Sequence, residues 1–170
     1  TRDMPLSAAD IESLWADLAK PDSAAAHTAC RKLLTDRSQA VALLADRLRP
    51  VPAADADRIA QLIADLGGSF DARRKATAEL ERLGELTVEP LKAALAKNPP
   101  LDLKQRIEKL IEKTGAQKLQ GDRLREARAV EVLELAATPE ANRVLETLAG
   151  GAADARLTSE AKAALNRGAK

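Results

Sequence analysis

Aromatic residues are nearly missing from this 170-residue chain, which has one Trp, one Phe and no Tyr. Without them there is no platform on which nucleic-acid bases can stack. Cysteine is as scarce, and a single Cys excludes an internal disulfide while leaving the redox compartment open. One His gives a Ser/His/Asp triad little to build on. An excess of either charge is also lacking. The 27 Lys+Arg stand against 26 Asp+Glu for a net +1, and the balance holds along the chain, with no basic lobe. Such a chain is a poor non-specific binder of nucleic acid or anionic membrane. No apolar run approaches the roughly 18 residues of a membrane span. No signal-peptide pattern is present, so the sequence assigns no compartment. It begins at Thr1 rather than Met, the expectation for a domain excised from a larger chain.

What is abundant points to helix. There are 36 Ala and 26 Leu against 6 Val and 5 Ile, a balance that favours helices over strands. With 45% hydrophobic and 31% charged residues, a packed core is expected. Ser7 reads as the cap of a first helix carrying Ile11, Leu14, Trp15 and Leu18 at i, i+3, i+4 and i+7. Asp36 with Gln39 reads as a capping box. Thr138-Pro139-Glu140 reads as an N-cap, a Pro at the first helical position and a carboxylate facing the helix dipole. Gly67 and Gly84 stand where left-handed C-caps are wanted. Pro90 falls in a first turn if Thr87 is the N-cap.

The strongest signal is an internal repeat. Ala29, Leu33, Val41, Leu44 and Leu48 recur as Ala76, Leu80, Val88, Leu91 and Leu95, at an offset of 47. They recur again as Ala129, Leu133, Ala141, Val144 and Leu148, at a further offset of 53. Each copy reads as two helices joined by a tight turn, followed by a third. The third helices are marked by Ile59/Leu62/Ile63, Ile107/Leu110/Ile111 and the weaker Ala161/Ala164/Leu165. Pro/Gly-rich loops precede them at 49–54, 97–100 and 150–156. A period near 50 residues predicts an all-α, right-handed α-solenoid. One domain over 1–170 is expected, with a cap helix in 1–20 and three-helix units at 21–66, 70–113 and 123–167.

The run Ala72-Arg73, Ala76, Leu80, Leu83-Gly84, Val88, Pro90-Leu91 and Ala94-Leu95 resembles the HEAT repeat, and the expected units are HEAT/armadillo-like. Taken together, Leu14-Trp15-Ala16-Asp17-Leu18, Arg47-Leu48-Arg49-Pro50-Val51-Pro52, Leu62-Ile63-Ala64-Asp65-Leu66, Ala129-Val130-Glu131-Val132-Leu133-Glu134 and Ala161-Lys162-Ala163-Ala164-Leu165 give the chain a likeness as a whole. It resembles a C-terminal helical domain that follows WD-repeat β-propellers in planctomycete proteins. That likeness implies a scaffold module of a multidomain protein and brings no catalytic residues with it.

No catalytic, cofactor-binding or metal-binding residues are assigned. His27 and Cys30 share one helix face, but two ligands do not close a zinc site, and a core or boundary role is the better reading. Gly67-Gly68 and Gly150-Gly151 end helices and cradle no phosphate. Carboxylates such as Glu108 and Glu112 alternate with lysines on a solvated face. Trp15 reads as a core anchor. Basic clusters at Arg73-Arg74-Lys75 and Arg123/Arg125/Arg128 are interleaved with Glu79, Glu81 and Glu126, and Arg73 reads as the structural Arg of the HEAT pattern. Opposite the buried stripe of the second helices, Leu43, Leu86, Pro90 and Ala93 form a candidate partner-binding patch, unless the third helices cover them. The expectation is a non-enzymatic protein-interaction or structural module with a protein partner. The alternatives are a nucleic-acid-binding or base-excising solenoid, and a regulatory domain packing in cis on an upstream propeller.

Overall fold

The computed structural model describes residues 6–115 and 120–169, and every regular element among them is a helix. Ten α-helices follow one another: α1 Ala8–Asp17, α2 Ser23–Leu33, α3 Arg37–Arg47, α4 Ala56–Asp65, α5 Phe70–Leu83, α6 Val88–Ala96, α7 Leu101–Gly115, α8 Asp122–Ala136, α9 Pro139–Ala149 and α10 Arg156–Gly168. Short 3-10 turns, Leu34–Asp36 and Gly84–Thr87, join α2 to α3 and α5 to α6. Residues 1–5 of the expected cap segment 1–20 lie outside the described residues.

The caps follow local chemistry. Ser7 accepts from Asp10 N, and the Asp10 carboxylate accepts in return from Ser7 N, a full capping box. Asp36 accepts from Gln39 N at 3.0 Å, but the expected box is only half made. The Gln39 amide turns instead to the backbone of Leu6, accepting from its N–H at 3.0 Å. Thr138 caps α9 with Pro139 at the first position, as its sequence dictates. The Thr87 hydroxyl makes no cap and donates to Gly84 O at 2.8 Å, while Pro90 does fall in the first turn of α6. Neither expected left-handed cap is formed: Gly84 has φ +58 but ψ -126, outside the left-handed helical region, and Gly67 simply continues the turn after α4.

At the third copy the left-handed cap falls on Ala137, with φ 50 and ψ 37. A Cβ in that conformation crowds the neighbouring carbonyl, at roughly 1–2 kcal/mol. Ala137→Gly is therefore expected to raise stability by about 0.5–1 kcal/mol, after its greater unfolded-state entropy is subtracted. A urea midpoint unchanged or lowered would show that the strain is absent.

The helices gather into two compact units. The first joins α1–α3 to α8–α10. Here α2 and α3 pack on α8, α3 also meets α9, α1 lies on α2, and α10 covers α8 and α9. Leu18, Leu33 and Leu44 share one core with Val132, Leu133 and Leu148. Arginines tie its two chain segments together. Arg128 donates to Leu18 O at 2.7 Å and Lys20 O at 2.6 Å, at the end of α1, and Arg37 donates to Ala136 O at the end of α8. Guanidinium donors on orphan C-terminal carbonyls satisfy groups that the helices cannot satisfy themselves.

The second unit is α4–α7. In it α4 packs on α5 and α6, and α7 packs on the same two helices. Ile59, Leu62, Leu66, Leu80, Leu91 and Ile107 form its core. The helices are thus grouped differently from the expected units. In the 21–66 unit α4 would have been the third helix of α2 and α3. Instead its stripe of Ile59, Leu62 and Leu66 closes on the core of α5 and α6, and Arg58 grips Glu79 on α5 through two hydrogen bonds of 3.1 and 2.6 Å. The first and third repeat pairs meet each other directly in the first unit, so their contacts do not follow the order of the chain.

A close approach fixes the turn after α9. Ala152 N donates to Val51 O at 2.7 Å. A Cβ on Gly151 would stand 2.7 Å from the Thr158 hydroxyl and 3.0–3.1 Å from the Val51 backbone. Thr158 is wholly buried, with no hydrogen-bond partner for its hydroxyl, so neither neighbour yields cheaply. Gly151→Ala is expected to lose about 1–3 kcal/mol, the usual cost of overpacking. Chemical denaturation measures it, and a loss below about 0.5 kcal/mol would contradict the packing described.

Candidate interaction surface

Groups that might have carried chemistry do not converge. His27 is exposed on α2, while Cys30 is buried in the first core, so the two do not form a pair. Burial pushes the Cys30 thiol up, and the negative charge of Glu131 adds to the effect. Among the described residues no group of three or more His, Cys, Asp or Glu is placed to hold a metal ion. No helix among them is long and apolar enough to cross a membrane.

Two arginines of the α8 cluster, Arg125 and Arg128, have their guanidinium groups engaged within the first unit. The Arg125 guanidinium lies 5.0 Å from the centroid of the Trp15 ring and pairs with Asp122 at 2.9 Å. Arg128 holds the end of α1. Arg123 offers its carbonyl to Arg156 at 3.0 Å. Trp15 is half-buried against the core, as an anchor should be, with Arg125 over its face. On α5, Arg74 reaches Asp71 at 3.7 Å. Arg73 makes no side-chain hydrogen bond or ion pair among the described residues, so the structural bond expected of it is not formed.

The four patch residues fall in different units. Leu43 is half-buried on α3 and packs against the first core. Leu86 and Pro90 are half-buried and Ala93 is exposed, all three in the second unit. None of the three belongs to that unit's core. Phe70 and Leu101, each 70% exposed at the first positions of α5 and α7, are the most open large apolar side chains described.

Grooves run between helices within both units. The groove between α5 and α7, about 510 Å³, is lined by Thr77 and Leu110 and bridged by Glu81 and Lys113 at 2.8 Å. The groove between α8 and α10, about 420 Å³, is bridged by Glu134 and Arg167 through two bonds of 2.7 Å. These bridges are equivalent, since Glu81 and Glu134 are one repeat offset of 53 apart. A further groove, about 540 Å³, lies between α3 and α9, both second helices of repeat pairs. Val41, Ala42, Ala45 and Val144 supply its apolar surface, and no ion pair crosses it among the described residues. Sequence reasoning missed it by expecting α3 to neighbour α6. The small, exposed Ala42 and Ala45 of α3 were the signal in the sequence.

The bridges have an electrostatic consequence. Arg167 holds the Glu134 carboxyl below its ordinary range, Arg58 does the same for Glu79, and Ser7 for Asp10. A lowered carboxyl pKa stabilises the fold above the unfolded value, and the gain disappears as pH falls through the folded value. The thermal midpoint is expected to hold from neutral pH to about pH 5 and to decline below about pH 4. Glu134→Gln is expected to make that decline shallower, and an identical acid limb in the variant would remove Glu134 as a contributor.

No protein-family model, no curated protein and no solved structure matches this chain.

Proposed function

We propose that this chain is a non-enzymatic protein-interaction module of a larger polypeptide, built of HEAT-like helix pairs in the manner of an α-solenoid. Its binding surface is the groove between α3 and α9. The observation that carries the reading is the apolar cleft between two second helices, which no ion pair crosses among the described residues, while the α5–α7 and α8–α10 grooves are each spanned by one. The recurring pairs α2–α3, α5–α6 and α8–α9, each joined by a short turn, support the HEAT-like description. Direct stacking of the first pair on the third departs from a simple linear array. The engagement of Arg125 and Arg128 within the fold weighs against a nucleic-acid surface.

The test is a quantitative pull-down with wild-type chain and an Ala42→Arg/Ala45→Arg variant shown by circular dichroism to keep its helices. A protein held by the wild type and lost by the variant is the expected result. Salt-sensitive binding of a labelled duplex, with no protein retained, would replace this reading with the nucleic-acid one.

A further inference from the structure

We infer that the α3–α9 groove receives one α-helix of a partner protein, presenting an apolar ridge edged by Asp or Glu. This rests on the reading of the chain as an interaction module and specifies what the partner must carry.

The groove's shape argues for a helix. Both walls are eleven-residue helices, about 16 Å long. Arg37 donates to Ala136 O, which sets the start of α3 beside the turn that opens α9. Ala42 and Ala45 stand exposed one turn apart on α3 and carry nothing beyond Cβ, so a partner's ridge can come close to the backbone. Val41 and Val144 complete the apolar floor. An extended peptide would find no unpaired strand edge here, and therefore none of the main-chain hydrogen bonds that hold such peptides. A small molecule would want polar groups converging inside the cleft, whereas the surface of this one is mostly apolar, from Val41, Ala42, Ala45 and Val144.

The charges select the partner. Arg37 belongs to one wall and Arg143 to the other. Arg143 is exposed and forms no ion pair among the described residues. Arg37 uses one Nη on Ala136 O, which leaves further donors of its planar fork for a carboxylate. Among the lining residues Glu140 is the sole carboxylate. A helix with acidic edges finds two cations here, and one with Lys or Arg edges meets like charge on both walls.

A phage-displayed library of helical peptides, panned on the whole 170-residue chain, tests this. The expected enrichment is for apolar residues at i, i+3 or i+4, and i+7 flanked by Asp or Glu. Synthetic versions of the enriched peptides should bind Ala45→Arg about tenfold more weakly. Arg143→Glu, which adds a carboxylate without filling the cleft, should weaken them about fivefold, with Ala45→Ser close to wild type. Enriched peptides that bind Ala45→Arg as tightly as wild type would overturn the site and leave the module reading standing. Enrichment of basic edges would overturn the charge argument. If nothing is enriched while the pull-down retains a groove-dependent protein, the occupant is not a simple helix, and this inference fails without the module reading.

Discussion

Replacing residues 52–118 with a flexible linker of about ten residues is expected to leave a folded six-helix protein. Val51 and Arg123, which flank the excision, are tied to one turn. Val51 O accepts from Ala152 N at 2.7 Å, and Arg123 O accepts from the Arg156 side chain at 3.0 Å. The short span from 152 to 156, plus the length of an Arg side chain, places Val51 and Arg123 within about 20 Å of each other. A ten-residue Gly/Ser linker has a root-mean-square span of about 17–19 Å. The core that remains draws only on α1–α3 and α8–α10, so excision removes none of it. Cooperative thermal unfolding and dispersed amide resonances are the expected readouts. A product that binds ANS and melts without a transition would mean that the first unit does not stand alone. The excised 52–118 segment has the smaller core and is expected to be the less stable half.

Leu133→Ala is expected to cost about 2–5 kcal/mol, enough to unfold much of a marginally stable domain. Leu133 is fully buried on α8, in the core that α8 shares with α2 and α3. Its neighbours in that core include the small, already buried Ala29, Ala40, Ala129 and Ala136, which cannot extend to fill the cavity. Leu80→Ala, at the equivalent repeat position of α5, should cost a similar amount in the other core. Hydrogen exchange separates the two. Leu133→Ala should strip protection first from α1–α3 and α8–α10, and Leu80→Ala first from α4–α7. Identical loss across all ten helices in either variant would show that the two cores melt as one.

The helices were legible because Ala and Leu dominate, and because Ser7, Asp36, Thr138 and Pro139 mark where they start. The repeat was legible in Leu33, Leu80 and Leu133, all of which are buried. Partner choice was not legible. A stripe such as Ile59, Leu62 and Leu66 states that α4 must bury one face, yet α2–α3 and α5–α6 offer similar Ala/Leu surfaces. The Arg58–Glu79 pair lies across 21 residues and leaves no local pattern. The same ambiguity hid the α3–α9 groove, whose two walls lie about 100 residues apart in the chain. Leu43, Leu86, Pro90 and Ala93 shared a register but not a unit. The arginines of α8 looked like a surface charge run because their acceptors, Leu18 O and Lys20 O, are backbone atoms with no trace in the residue type.

Closure of the first unit across its insertion imposes a timetable on synthesis. Leu14, Leu33 and Leu44 leave the ribosome early, yet their packing partners Val132, Leu133 and Leu148 arrive only after the whole of 52–118. At cellular elongation rates the wait is on the order of several seconds. During it the later-made α4–α7 already has every partner it needs. The middle of the chain can therefore fold before its beginning, while the nascent N-terminal helices present bare leucine faces to whatever chaperone stands at the tunnel exit.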